Sequence, residues 1–146
     1  MTPERLDGLE QVIEEHRHAV NEVLRGRHEP FAAVYSRRDD VTLGNPFGPF
    51  ALGYERVVER LRAAAALFRD GHVTGFERIA EYVADDLACT VEVEHSRTKV
   101  DGRDDLSDVP VRCTSVYRRE DEKWRLVHRH AEPITSPRPA ESVITD

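Results

Sequence analysis

Hydrophobic and polar positions divide this chain into two halves with different periods. From Leu6 to Leu24 the apolar residues Leu6, Leu9, Ile13, Val20 and Leu24 recur at helical spacing, with His16 on the same stripe and Glu and Arg elsewhere. Gly26 stops this helix. A second, short helix is expected from Pro30 to Tyr35, with proline at an early position where its missing N–H does no harm. Val41, Leu43 and Asn45 alternate with Thr42 and Gly44 as a short strand, and NPFGPF after them reads as a turn. Tyr54 to Arg69 is the clearest helix, with Val57, Val58, Leu61, Ala64, Ala65 and Phe68 in phase and Asp70-Gly71 behind it.

After Gly71 the period becomes two. Strands are predicted over Val73–Ala84, Leu87–Val100, Val111–Arg119 and Lys123–Ala131. Asp85-Asp86 and Arg119-Glu120-Asp121-Glu122 make the tight turns, and DGRDDLSD makes a longer loop. Helices first and an antiparallel meander last is an α+β order, not βαβ. A strongly bent sheet of this kind cannot bury its concave face alone, so the helices must close over it. Closure at one end leaves a cone with a ligand-sized pocket. One domain is expected over residues 1–133, followed by a flexible tail over 134–146.

Composition narrows the partners. The 146 residues are 39% hydrophobic and 34% charged, with 21 basic and 28 acidic side chains for a formal net charge of -7. Such a chain can build a core, and its charge repels phosphate backbones and anionic lipid, so neither nucleic acid nor membrane is expected as a partner. No apolar run approaches a membrane span, and MTPERLDGLE lacks the apolar centre of a signal peptide, so a cytoplasmic location is the default expectation. Cys89 and Cys113 each lie in a strand-like run without the close partner of a metal knuckle or redox pair, and both are read as reduced thiols. No phosphate loop or dinucleotide fingerprint is present, and no cofactor is expected.

Two stretches carry a family likeness. DDVTLGNPFGPFALGYERVVERL resembles the helix-strand-turn-helix segment of SnoaL-like and ketosteroid-isomerase-like proteins of the NTF2-like superfamily. TSVYRREDEKWRLVHRHAEP resembles the last hairpin of the same superfamily, and is similar to that of the association domain of calcium/calmodulin-dependent kinase II in the spacing of Trp124, His128 and His130. The resemblance spans roughly residues 5 to 133 and implies the α+β cone. It also implies where isomerase groups would fall, and those places are vacant. The aspartate base before the turn proline is Asn45, the acid on the third long strand falls on or near Ser115, and the first helix has no tyrosine. Steroid isomerase chemistry is therefore not expected.

Strand phase nominates the pocket wall. On the second long strand Cys89, Val91, Val93 and His95 share a side, and the apolar character of that side points it inward; on the third, Val111, Cys113, Ser115 and Tyr117 do the same. On the last strand pattern favours Trp124 and Leu126 inside, whereas the resemblance favours Val127, Arg129 and Ala131, and the resemblance is followed here. Together with Asn45 this gives a proposed lining of Asn45, Cys89, Val91, Val93, His95, Cys113, Ser115, Tyr117, Val127 and Arg129.

His95 and His16 are the candidate acid or base, since imidazole titrates near neutrality. The bland readings are a strand-end histidine on a carbonyl and a satisfied core histidine. Arg129 offers a fork for a carboxylate or enolate, unless it pairs with Glu92, Glu94 or Glu132. Asp39 and Asp40 read as a solvated turn. His128 and His130 share a face but have no third ligand at suitable spacing, so no metal is expected. Trp124 or Tyr117 and their neighbours cannot all enter one cone, so a homodimer through the outer sheet face is expected. Three functions follow: a module holding a small, mostly apolar ligand; a cofactor-free cyclase, isomerase or related lyase using a pocket histidine; or an oligomerisation domain.

Overall fold

The computed structural model describes residues 3–145, with side chains from Gly8 onward, so Leu6 lies outside the described side chains. Its elements are α1 (Pro3–Val23), α2 (Glu29–Val34), β1 (Thr42–Asn45), β2 (Gly48–Leu52), α3 (Tyr54–Ala65), β3 (Phe68–Val83), β4 (Leu87–Val100), β5 (Ser107–Asp108), β6 (Val111–Glu120) and β7 (Lys123–Glu132). The strands form one sheet in the order β2-β1-β7-β6-β4-β3, with β5 paired to β4. Only the β1–β7 pair is parallel. The expected α+β architecture, helices packed on a strongly curved and mainly antiparallel sheet, is the one observed.

Three boundaries differ from expectation, each for a local reason. The NPFGPF turn is the tip of a hairpin, and Gly48–Leu52 is a strand in its own right because Leu43 pairs with Ala51 and Thr42 with Leu52. Helix α3 ends at Ala65 instead of Arg69. Phe68 and Arg69 are drawn into the sheet opposite Val100 and Lys99, and the Gly71 N–H donates to the Leu24 carbonyl at 3.0 Å. A Cβ on Gly71 would lie 2.5 Å from Thr98 Oγ1 and 2.8 Å from Leu24 Cβ, so only glycine allows β3 this close to the end of α1. Part of the DGRDDLSD loop forms β5, beside Arg97 and Thr98.

The ambiguity of the last strand has a structural answer. Pairing shifts between β6 and β7, with Val116 opposite His128 but Tyr117 opposite Leu126. This bulge leaves Val127 as an extra residue and flips the phase halfway along the strand. Trp124 and Leu126 face inward before it, and Val127, Arg129 and Ala131 face inward after it. Both readings of the pattern thus hold, each for half of β7.

The cone then accommodates more than sequence reasoning allowed. Trp124 and Tyr117 are each 2% exposed within the single chain, in one cluster with Leu9, Val12, Ile13 and Leu126. The crowding argument for a homodimer therefore falls away. The tail from Ser136 runs back past the outer face of the sheet, with a 3-10 turn at Ala140–Val143, and lines a shallow groove with Ile79, Val91, Val93 and Arg112.

Candidate functional site

A cavity of about 290 Å³ lies between the helices and the concave face of the sheet. Val20 and Val23 of α1, Leu24 just beyond it, Leu61 and Ala64 of α3, and Phe68 form much of its wall. The hairpin tip adds Asn45, Pro46 and Phe47, with the Phe47 ring 5.8 Å from that of Phe68. From the sheet come Glu94 and Ser96 of β4, Val111 of β6, and Arg129 and Ala131 of β7. Among the described residues the polar members of the wall are Asn45, Glu94, Ser96 and Arg129.

Each of these four is engaged by the protein. The Asn45 side-chain oxygen accepts the Phe47 N–H at 3.1 Å, which holds the hairpin tip. The Ser96 hydroxyl donates to the Val109 carbonyl at 3.1 Å. Arg129 and Glu94, 10% and 5% exposed, form a two-pronged pair with both N···O distances 2.7 Å. This geometry is the strong form of the arginine–carboxylate contact. Arg129 Nη1 also lies 3.2 Å from His16 Nε2 and 3.1 Å from Cys113 Sγ, and its guanidinium sits over the Phe31 ring at 5.4 Å. The guanidinium stays charged despite burial, because Glu94 and the electron-rich groups around it stabilise the cation.

His16, 4% exposed, extends the network into the core. Its Nδ1 is 2.6 Å from the Tyr117 hydroxyl. Arginine has no acceptor, so Nε2 must accept from Arg129 and Nδ1 must carry the proton that is donated to Tyr117. Burial, then the charges of Arg129 and Arg17, hold His16 well below the ordinary histidine range, so it is neutral. Burial likewise raises Tyr117, and it pushes the Cys113 thiol up to about 12.

The His16 environment sets a pH dependence. The unfolded chain takes up a proton on this residue below its ordinary value of 6.5, while the folded chain does not. Stability from this group is therefore present above pH 6.5 and is lost as pH falls through it, by at most about 1.4 kcal/mol per unit. Urea titrations from pH 7 to 5 should show that slope in the wild type and a shallower one in His16→Gln. Equal slopes would show that His16 charges freely in the folded protein.

The nominated residues divide sharply by strand. Asn45 and Arg129 are on the cavity wall. Cys113, Ser115, Tyr117 and Val127 face the interior but are packed in the core away from the cavity, and Ser115 is 3.5 Å from Cys113 Sγ. Cys89, Val91, Val93 and His95 are on the opposite face, a correction to the inward placement. The inward side of β4 is instead Thr90, Glu92, Glu94, Ser96 and Thr98, all buried. Register explains the reversal: Cys113 lies opposite Glu92 and Ser115 opposite Thr90, so the Cys113 side of β6 can share a face only with the polar side of β4. Partners then make the polar side tolerable. Arg17 and Arg78 reach Glu92 at 2.6 and 2.8 Å, as Arg129 reaches Glu94. His95 is 48% exposed and 3.6 Å from Glu77. The two cysteines lie on opposite faces of the sheet and both are free thiols.

Other candidates resolve into structural contacts. His128 Nδ1 is 2.8 Å from the Thr42 hydroxyl, and Phe50 packs against His128 and His130 on the outer face. Asp40 is bound by the Arg118 fork at 2.7 and 2.9 Å. No group of three metal-binding side chains occurs among the described residues, and none of their helices is long and apolar enough to cross a membrane. Glu94 was missed in the sequence as a wall residue. Its signal was the inverse pairing of acids on β4 with arginines on α1, β3 and β7.

Three helices closing a bent mixed sheet over one apolar cavity is the architecture of the NTF2-like class. A family model for the SnoaL-like domain matches residues 17–135, and the chain belongs to that family. Its fold is shared by a ketosteroid isomerase-like protein from Erwinia carotovora atroseptica at 17% identity, covering 93% of this chain and 100% of the other with a TM-score of 0.75. It is shared too by a protein provisionally described as a dehydratase of the NTF2-like family, from Streptomyces avermitilis, at 18% identity, 90% and 98% coverage and a TM-score of 0.73. A third, provisionally described as a calcium/calmodulin-dependent protein kinase II association domain, from Xanthomonas campestris, is 19% identical over 88% and 87% of the two chains, with a TM-score of 0.68. No curated protein matches the chain.

Proposed function

We propose that this domain holds a small, mostly apolar ligand in its cone without classical isomerase chemistry. The observation that carries this reading is the state of the cavity wall. It is apolar except for four side chains, and each of those is already hydrogen-bonded or ion-paired within the protein. Such a wall rewards burial of apolar surface and offers few groups with which to move protons. A cyclase, isomerase or lyase using a pocket histidine has less support. None of the cavity residues is a histidine, and the His16 Nε2 lone pair is occupied by Arg129. A homodimer through the outer face accords with the exposed Phe50 ring beside His128 and His130, and light scattering reads it directly.

The test is saturable binding of N-phenyl-1-naphthylamine, a neutral apolar fluorophore. The wild type should enhance its emission with one site per chain. Ala64→Phe, which fills the cavity from α3, should abolish that signal while leaving the circular dichroism spectrum unchanged. Absence of saturable binding, or binding indifferent to Ala64→Phe, would remove the cavity as the ligand site.

A further inference from the structure

We propose that the cavity selects an uncharged ligand, a largely apolar alcohol, and that Glu94 is the residue that sets this selection. The inference rests on the reading of the cavity as a ligand site. Glu94 and Arg129 are the charged residues of the described wall, and their charges cancel through two 2.7 Å bonds. His16 adds nothing, since it is neutral and turned to Arg129 and Tyr117. The next charged cluster, Arg17, Arg78 and Glu92, is paired within itself and does not line the cavity.

A ligand carboxylate entering this site would need either to displace Glu94 from the Arg129 fork or to lie beside it. The first exchanges one carboxylate for another and strands Glu94 in a low dielectric. The second places like charges together away from water, where their repulsion is strong. A ligand ammonium meets the same difficulty with Arg129. Neither ion finds another partner, because the remaining wall is apolar apart from Asn45 and Ser96, and a buried unpaired charge is costly. A hydroxyl avoids all of this. A carboxylate has about four acceptor sites, and Arg129 takes two of those on Glu94 and the Cys113 thiol another, so a ligand O–H can be received without breaking the pair. The sequence left Arg129 open as a fork for a carboxylate or enolate. Glu94 already fills that fork.

Calorimetric titration at pH 7 with 1-octanol, octanoate and octylamine separates the cases. The wild type should bind 1-octanol, with both ions weaker by about tenfold or more. Glu94→Gln keeps a hydrogen-bond acceptor for Arg129 but uncovers its charge, so octanoate should gain about tenfold or more over 1-octanol. If that variant does not fold, Glu94→Gln with Arg129→Met removes both charges. It should keep the preference for 1-octanol over octanoate. Wild-type protein that binds octanoate as well as 1-octanol would overturn the selection. A folded Glu94→Gln variant with no gain for octanoate would overturn the role of Glu94. Binding of none of the three by any form would instead overturn the ligand-site reading and the proposal with it.

Discussion

Replacing Arg129 with methionine is expected to destabilise the fold by about 3–5 kcal/mol, the largest effect of any single substitution in the site. The loss arises less from the contact itself than from what is left behind. Glu94 is 5% exposed, and without Arg129 its carboxylate has no cation within the cavity wall. His16 Nε2 and Cys113 Sγ lose a donor at the same time. Replacing both partners, Arg129→Met with Glu94→Leu, should recover most of the stability, because two apolar groups of similar volume bury no unmatched charge. Urea unfolding of the wild type, both single variants and the double variant forms a mutant cycle. A double variant as unstable as the sum of the single ones would show that the two residues do not act as a pair. Recovery would show that the pair is kept for something other than stability, as expected of groups that sort ligands.

The fold was legible because it depends on period, and period survives uncertainty about packing. The switch from helical spacing to alternation after Gly71 placed α1, α3 and the four long strands, and their order fixed the α+β class. Faces were harder to read. Alternation along β4 separates Cys89, Val91 and Val93 from Thr90, Glu92 and Glu94 without saying which set is inside. Hydrophobicity argues for the first set, and the register against β6 selects the second. The long connection through β5 left that register open in the sequence, so the ordinary rule of apolar side inward was applied where it does not hold. The rule failed because Arg17, Arg78 and Arg129 supply the charge that the inward acids need. The bulge at Val127 was equally silent, since an extra residue in a strand changes no composition and breaks no pattern that a ten-residue segment can display. The resemblance helped on β7 because it carried the phase beyond that bulge.

The wild-type chain should show no isomerisation of a 3-oxo-Δ5 steroid above the buffer rate. That reaction needs a base to move a proton and a donor to hold the developing oxyanion. Positioned general bases contribute about 10²–10⁴-fold, and a single oxyanion donor about 10²–10³-fold. Asn45, the position at which the resemblance puts the family base, is on the cavity wall, but its amide has no proton-accepting state near neutral pH, and its oxygen is committed to the Phe47 N–H. Ser115, on or near which the resemblance puts the oxyanion acid, is 3% exposed, lies by Cys113 and does not line the cavity. Asn45→Asp would restore a carboxylate at the right place, yet the Phe47 N–H stabilises its charged form and so weakens it as a base. With no oxyanion donor opposite, a trace of turnover is the most that variant should give. The measurement is the rise in conjugated-enone absorbance with wild type, Asn45→Asp and Asn45→Ala at equal concentrations. Turnover by the wild type that survives Asn45→Ala would mean that the base stands elsewhere. Glu94 would then be the first residue to test, because it is the carboxylate already on the cavity wall.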